Sequence, residues 1–74
     1  MEKTVLEIIN YIRKNKDLEP LENIDPKDNL RDDIGFTSFD LAELTVRIED
    51  KFGIDIFEDG LITTIGEIYK KLKK

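Results

Sequence analysis

Val5, Ile8, Ile9 and Ile12 follow one another at helical spacing, the mark of a helix that buries a single stripe. The pattern predicts a first helix over roughly Lys3–Lys14. Its last turn is basic, with Arg13, Lys14 and Lys16, as the negative end of a helix dipole favours. A second helical pattern runs from Ser38 to Phe52. Thr37 with Asp40 three residues on reads as a capping box, and Gly53 ends the segment by the usual left-handed C′ logic. Thr64 with Glu67 at N3 then opens a last helix with Ile65, Ile68, Tyr69 and Leu72 inward. Lys70, Lys71, Lys73 and Lys74 close that helix, and the dipole alone accounts for them.

Between the first two helices the period is lost. Pro20 and Pro26 prevent a continuous helix over Asp17–Thr37, and Asn23, Asp25, Asp28, Asn29, Asp32 and Asp33 are turn and cap formers. Leu18, Leu21, Ile24, Leu30, Ile34 and Phe36 are scattered through the same stretch, so it is a structured loop with apolar anchors. Long loops inside small domains carry function more often than not. A short helical turn around Asp25–Asn29 stays open, as does a ragged turn over Glu58–Leu61. Gly35 is placed to supply the positive φ that turns the chain into the second helix.

The expected fold is therefore all-α: a small three- to four-helix bundle with a long structured loop between its first and second helices. At 74 residues the chain is expected to form one domain, residues 1–74, with a thin core. Cysteine and histidine are both absent, which removes the disulfide, the thiolate metal site and the commonest general base. Self-contained catalysis is not expected. Seventeen acids against 12 bases give a net charge of −5, an unfavourable balance for nucleic acid and a favourable one for basic protein partners. The polar residues of Met1–Ile12 are incompatible with a signal peptide, and no segment is long enough to span a bilayer. The expectation is a cytosolic monomer that binds neither nucleic acid nor membrane.

The second helix carries one apolar stripe too many. At roughly 100° per residue, Leu41, Leu44, Ile48 and Phe52 share the core face, while Phe39, Ala42 and Val46 share another. Glu43, Glu49 and Asp50 surround that second stripe, and Arg47 is expected opposite the acids with no role. Two readings stand. Either the long loop covers Phe39 and Val46 and the acids are a solvated face, or the stripe is an exposed patch on which a basic partner docks. Ser38, at the start of the helix beside the patch, favours the second.

The segment Asp33-Ile34-Gly35-Phe36-Thr37-Ser38-Phe39-Asp40-Leu41-Ala42-Glu43-Leu44 resembles the modification site of acyl carrier proteins. In that family an acidic and a hydrophobic residue precede a glycine, and the serine follows three residues after it. The resemblance continues through Ile48–Ile56 and Ile62–Ile65, and so takes in nearly the whole chain. It implies a stand-alone, non-catalytic carrier. A phosphopantetheinyl transferase would attach 4′-phosphopantetheine to Ser38, and the arm's thiol would carry acyl groups as thioesters for fatty-acid, polyketide or related biosynthesis. The missing base and missing cysteine agree with this, because the serine would be another enzyme's substrate and the thiol would arrive with the group. The family's docking logic maps onto Asp33, Asp40, Glu43, Glu49 and Asp50 as acidic contacts and onto Phe39, Ala42 and Val46 as apolar ones. The partners would be the transferase and the acyl-loading and chain-building enzymes, each with a basic docking surface.

Thr37 and Phe39 depart from the family, which commonly has Asp before the serine and Leu after it. The stretch between Ile56 and Ile62 is also short, so a third helix is expected to be reduced. These departures suit a specialised carrier. Leu41, Leu44, Ile48, Ile62, Ile65 and Ile68 could line a space for an acyl chain, although simple core packing explains each of them. The alternatives are a peptidyl or aminoacyl carrier and, from another class, a small acidic helical inhibitor. Taken alone, Ser38 would be an ordinary helix-cap serine.

Overall fold

A computed structural model describes residues 1–73 and folds the three periodic segments as α1 (Glu2–Asn15), α2 (Ser38–Phe52) and α3 (Ile65–Leu72). Among the described residues the only extended pairing is a single bridge between Asn29 and Thr64, so the fold is all-α with three helices. Lys74, the last of the expected basic run, lies outside the described residues.

The helix ends are fixed by local chemistry. In α2 the Thr37 hydroxyl accepts from the Asp40 N–H while the Asp40 carboxylate accepts from the Thr37 N–H, and Gly53 closes the helix at φ 71°. In α3 Thr64 and Glu67 repeat the box. The Glu67 carboxylate also accepts from the Thr63 N–H and hydroxyl, and these bonds, with those from Thr64, hold it below the usual carboxylate range against the opposing effect of burial. The end of α1 is a Schellman motif: the Leu18 N–H reaches the Arg13 carbonyl and the Asp17 N–H the Lys14 carbonyl. Asp17 occupies the left-handed position at φ 61°, where glycine is the usual choice.

Val5, Ile8, Ile9 and Ile12 of α1 meet Leu41, Leu44 and Ile48 of α2 and Ile65, Ile68 and Tyr69 of α3 in one buried cluster. Each of these side chains stabilises the fold by about 1.5–3 kcal/mol relative to exposure. Leu30, Ile34 and Phe36 complete the cluster from the long loop, with Leu21 and Ile24 packed at its edge.

Hydrogen bonds hold that loop at several points. The Asn10 side chain exchanges two bonds with the backbone of Leu21, at 2.8 and 2.9 Å. Further on, Pro26 and Asp28 offer their carbonyls to the N–H groups of Gly66 and Ile65, at 2.9 and 3.0 Å. The loop thus satisfies donors that the first turn of α3 would otherwise leave unpaired. Asp25–Asn29 makes a turn rather than a helix, closed by the Asp28 N–H on the Asp25 carbonyl. After α2 the segment 56–59 is also a turn, so the reduced third helix has no helical residues left. Ile56 and Ile62 still anchor its two ends in the core.

Candidate functional site

Ser38 is the first residue of α2 and is exposed. Behind it Thr37 is extended, at φ −90° and ψ 176°, and Gly35 bends the chain at φ 87°. The basic end of α1 holds that bend. Arg13 donates Nη1 to the Ile34 carbonyl, and Lys16 donates Nζ to the Gly35 carbonyl at 3.0 Å. Lys16 also pairs with the Asp40 carboxylate. The helix dipole is therefore an incomplete account of these cations, because they brace the approach to Ser38.

Asp40 does not join the exposed acidic rim expected for it. It is 7% exposed, and its carboxylate is taken up by Thr37 and Lys16. Burial raises its pKa, but the hydrogen bonds from Lys16 and Thr37 and the Lys16 charge outweigh that and leave it below the usual Asp value. Its capping role, not a docking role, decides where it points.

The second stripe of α2 is bare. Phe39 is 79% and Val46 65% exposed, Ala42 lies between them, and the long loop covers none of the three. Glu49 and Asp50 are exposed beside them, and Asp33 is exposed in the loop, where it accepts the Asn29 N–H at 2.6 Å. Glu43 is half-buried and accepts from Arg47 Nε at 2.8 Å. Arg47 is thus among the acids, not opposite them, and its guanidinium stacks on the Tyr11 ring at 4.3 Å. Val46, Glu43 and Asp50 also line an open groove of about 440 Å³ between α1 and α2, with Glu7 and Tyr11 on the far wall. Leu41, Leu44, Ile48, Ile62, Ile65 and Ile68, weighed as an acyl lining, are all packed in the core.

Sequence reasoning missed three surface features. Arg31 donates Nη2 to the Ser38 hydroxyl. Tyr11 stands half in solvent and fixes Arg47. Leu61 is 85% exposed. Helical spacing could have flagged Tyr11 as an aromatic outside its helix's core stripe, whereas nothing in the sequence links Arg31 to Ser38.

The chemistry open to Ser38 follows from these neighbours. Its contact is with a cationic donor, the opposite of a general base, and the nearby carboxylate of Asp40 is already engaged. The hydroxyl is presented and accessible, but nothing around it makes it a nucleophile. An anion esterified there would meet a guanidinium and the positive end of a helix.

Comparison with known proteins points the same way. A family model described as a phosphopantetheine attachment site matches residues 6–72. The meromycolate extension acyl carrier protein of Mycobacterium tuberculosis is 29% identical over 75 residues, which cover 99% of this chain and 64% of that protein. Acyl carrier protein 3 of Ralstonia nicotianae is 36% identical over 57 residues, covering 77% of this chain and 66% of the relative. The meromycolate extension acyl carrier protein of Mycolicibacterium smegmatis is 27% identical over 75 residues, covering 99% and 75%. The chain therefore spans a little under two thirds of the M. tuberculosis relative. No solved structure gives a significant match.

Proposed function

The chain belongs to the phosphopantetheine-attachment family, whose members carry 4′-phosphopantetheine on a serine, and from that premise we propose that it is a non-catalytic acyl carrier with its arm on Ser38. The observation that carries the proposal is the exposed Ser38 hydroxyl at the capped start of α2, beside an uncovered apolar stripe. Ser38 is also the only serine among the 74 residues. The surroundings fit the group: the arm's root is a phosphodiester anion, and a cationic donor already lies on the oxygen that would bear it.

In the loading reaction the Ser38 oxygen gains a bond to phosphorus and the pyrophosphate bond of coenzyme A breaks. Adenosine 3′,5′-bisphosphate leaves, and the serine proton passes to a base of the transferase, since this chain offers none. When bound, the group supplies a flexible arm ending in a thiol that holds acyl groups as thioesters. The protein's own part is presentation. The Thr37–Asp40 box and the Lys16 brace fix the direction of the helix entrance, and the Gly35 bend lifts it clear of the core.

Partners would dock on Phe39, Ala42 and Val46, framed by Asp33, Glu43, Glu49 and Asp50, and would bring basic surfaces to meet them. Exposed charges of this kind set encounter rate and orientation more than affinity, which suits a carrier that must leave each enzyme. Acyl rather than aminoacyl cargo is supported by the names of the relatives, all acyl carrier proteins. The test is intact mass after incubation with coenzyme A and a promiscuous phosphopantetheinyl transferase. One adduct is expected on the wild type and none on Ser38→Ala; an unchanged wild-type mass with several transferases overturns the proposal.

A further inference from the structure

Arg31 is held with more care than an exposed loop arginine requires. Its N–H donates to Asn29 Oδ1 at 2.8 Å, and the Asp32 N–H shares the same acceptor at 2.9 Å. The N–H groups of Asp33 and Ile34 close back onto the Asn29 carbonyl at 2.9 and 3.0 Å. Leu30, immediately before it, is fully buried and bonds the Thr63 carbonyl at 2.8 Å. The backbone under Arg31 is therefore a closed turn pinned to the core. Although Asp32 and Asp33 follow it in sequence, its guanidinium lies on the neutral hydroxyl of Ser38.

A neutral acceptor at the surface is a poor use of a guanidinium, whose planar fork suits two oxygens sharing a negative charge. Esterification would create such a partner in place. The Ser38 oxygen would stay at the root of the arm, bonded to phosphorus, and the charged phosphodiester oxygens would be two bonds from the atom that Arg31 already contacts. A single bond to a neutral acceptor is then exchanged for contact between two ions, in which the guanidinium fork can use two donors at once. The first turn of α2 adds its own positive partial charge on the same side.

We infer that Arg31 is a positioning residue for the prosthetic group: its guanidinium receives the phosphodiester formed on Ser38 and restrains the root of the arm. This rests on the carrier reading above. The restraint reaches the phosphate and leaves the rest of the arm free to swing.

The experiment uses the loaded, isotope-labelled protein, with intact mass recorded on every sample. Phosphorus NMR relaxation and the Arg31 Nε–Hε resonance are compared in wild type, Arg31→Ala and Arg31→Lys. In the wild type, loading should shift the Arg31 resonance, and phosphorus transverse relaxation should be about twice that of Arg31→Ala, since a freer phosphate moves on a faster timescale. Arg31→Lys, which keeps the charge and loses the fork, should fall between them. At about 0.5 M salt the wild type should approach Arg31→Ala, because the screening length there is less than half its roughly 10 Å value at 0.1 M. A merely structural arginine would move none of these readouts on loading. If the adduct is present and the resonance and relaxation ignore both loading and substitution, this inference is overturned while the carrier reading stands. If no adduct forms on the wild type, the carrier reading fails and takes this one with it.

Discussion

Lys16→Met removes an ammonium that pairs with a buried carboxylate but keeps the length of an apolar stem. The Asp40 it abandons is 7% exposed and retains only its Thr37 donors. Hydrogen bonds to charged groups contribute about 1.5–3 kcal/mol, and breaking a fully buried ion pair costs about 3–5 kcal/mol. Lys16 keeps 27% of its side chain in water, and the Thr37 bonds survive, so the expected loss is about 1–2 kcal/mol. For a chain of this size that lowers Tm by roughly 5–15 °C. The deficit should also depend on pH. Asp40 is held below its unfolded value by Lys16 and Thr37, against the opposing effect of burial. A depressed folded pKa contributes stability that is present above the unfolded value of about 3.9 and lost as pH falls through the folded one. The variant raises that folded pKa, so its deficit should be full near about pH 7 and fade below about pH 4. Urea denaturation of both proteins across this range reads the effect, and in an Asp40→Asn background Lys16→Met should cost less than in the wild type and lose its pH dependence, with the Gly35 bond still forfeited. A deficit under about 0.3 kcal/mol at neutral pH, or one unchanged near pH 2, would refute the reasoning.

Three further outcomes are expected. Gly66→Ala should destabilise by about 1 kcal/mol in thermal unfolding: the added Cβ would lie 3.0 Å from the Pro26 carbonyl oxygen, and overpacking of about 1–3 kcal/mol exceeds the helix-propensity gain of about 1. Asp17→Gly should raise stability by about 0.5–1 kcal/mol by relieving the left-handed backbone at φ 61°, and any destabilisation would contradict the Schellman description. Glu43→Lys combined with Glu49→Lys should slow transferase modification by about tenfold at low salt and far less at about 0.5 M, with helical circular dichroism retained. Modification at the wild-type rate would mean that the docking surface lies elsewhere.

The helices were legible because each has an unbroken apolar period between chemically distinct ends. Thr37–Asp40 and Thr64–Glu67 both name their helix starts, and both form the box. The buried face of α2 and its bare stripe follow from the same wheel. Asp40 carried two sequence meanings, cap and docking acid. The Thr37 box turns the carboxylate inward, and Lys16, 24 residues away and in no local pattern, occupies it there. Arg47 stands four residues after Glu43, a spacing that already places the two on one helix face, whereas its stacking on Tyr11, a residue of another helix, is in no local pattern. The long loop showed its anchors but not its path. The carbonyls of Pro26 and Asp28 feed α3, and those of Ile34 and Gly35 receive Arg13 and Lys16, only once the chain has folded back. Arg31 belongs to the same class, brought to Ser38 by a turn whose closure is tertiary.

The most direct measurement locates the modified atom. Cleavage after Arg31 and Arg47 releases the peptide Asp32–Arg47, in which Thr37, Ser38 and Thr45 are the hydroxyl side chains. After treatment with coenzyme A and a transferase, fragmentation of this peptide should place the whole phosphopantetheinyl mass on Ser38. The same mass on Thr37, on Thr45 or on any other peptide would contradict the account.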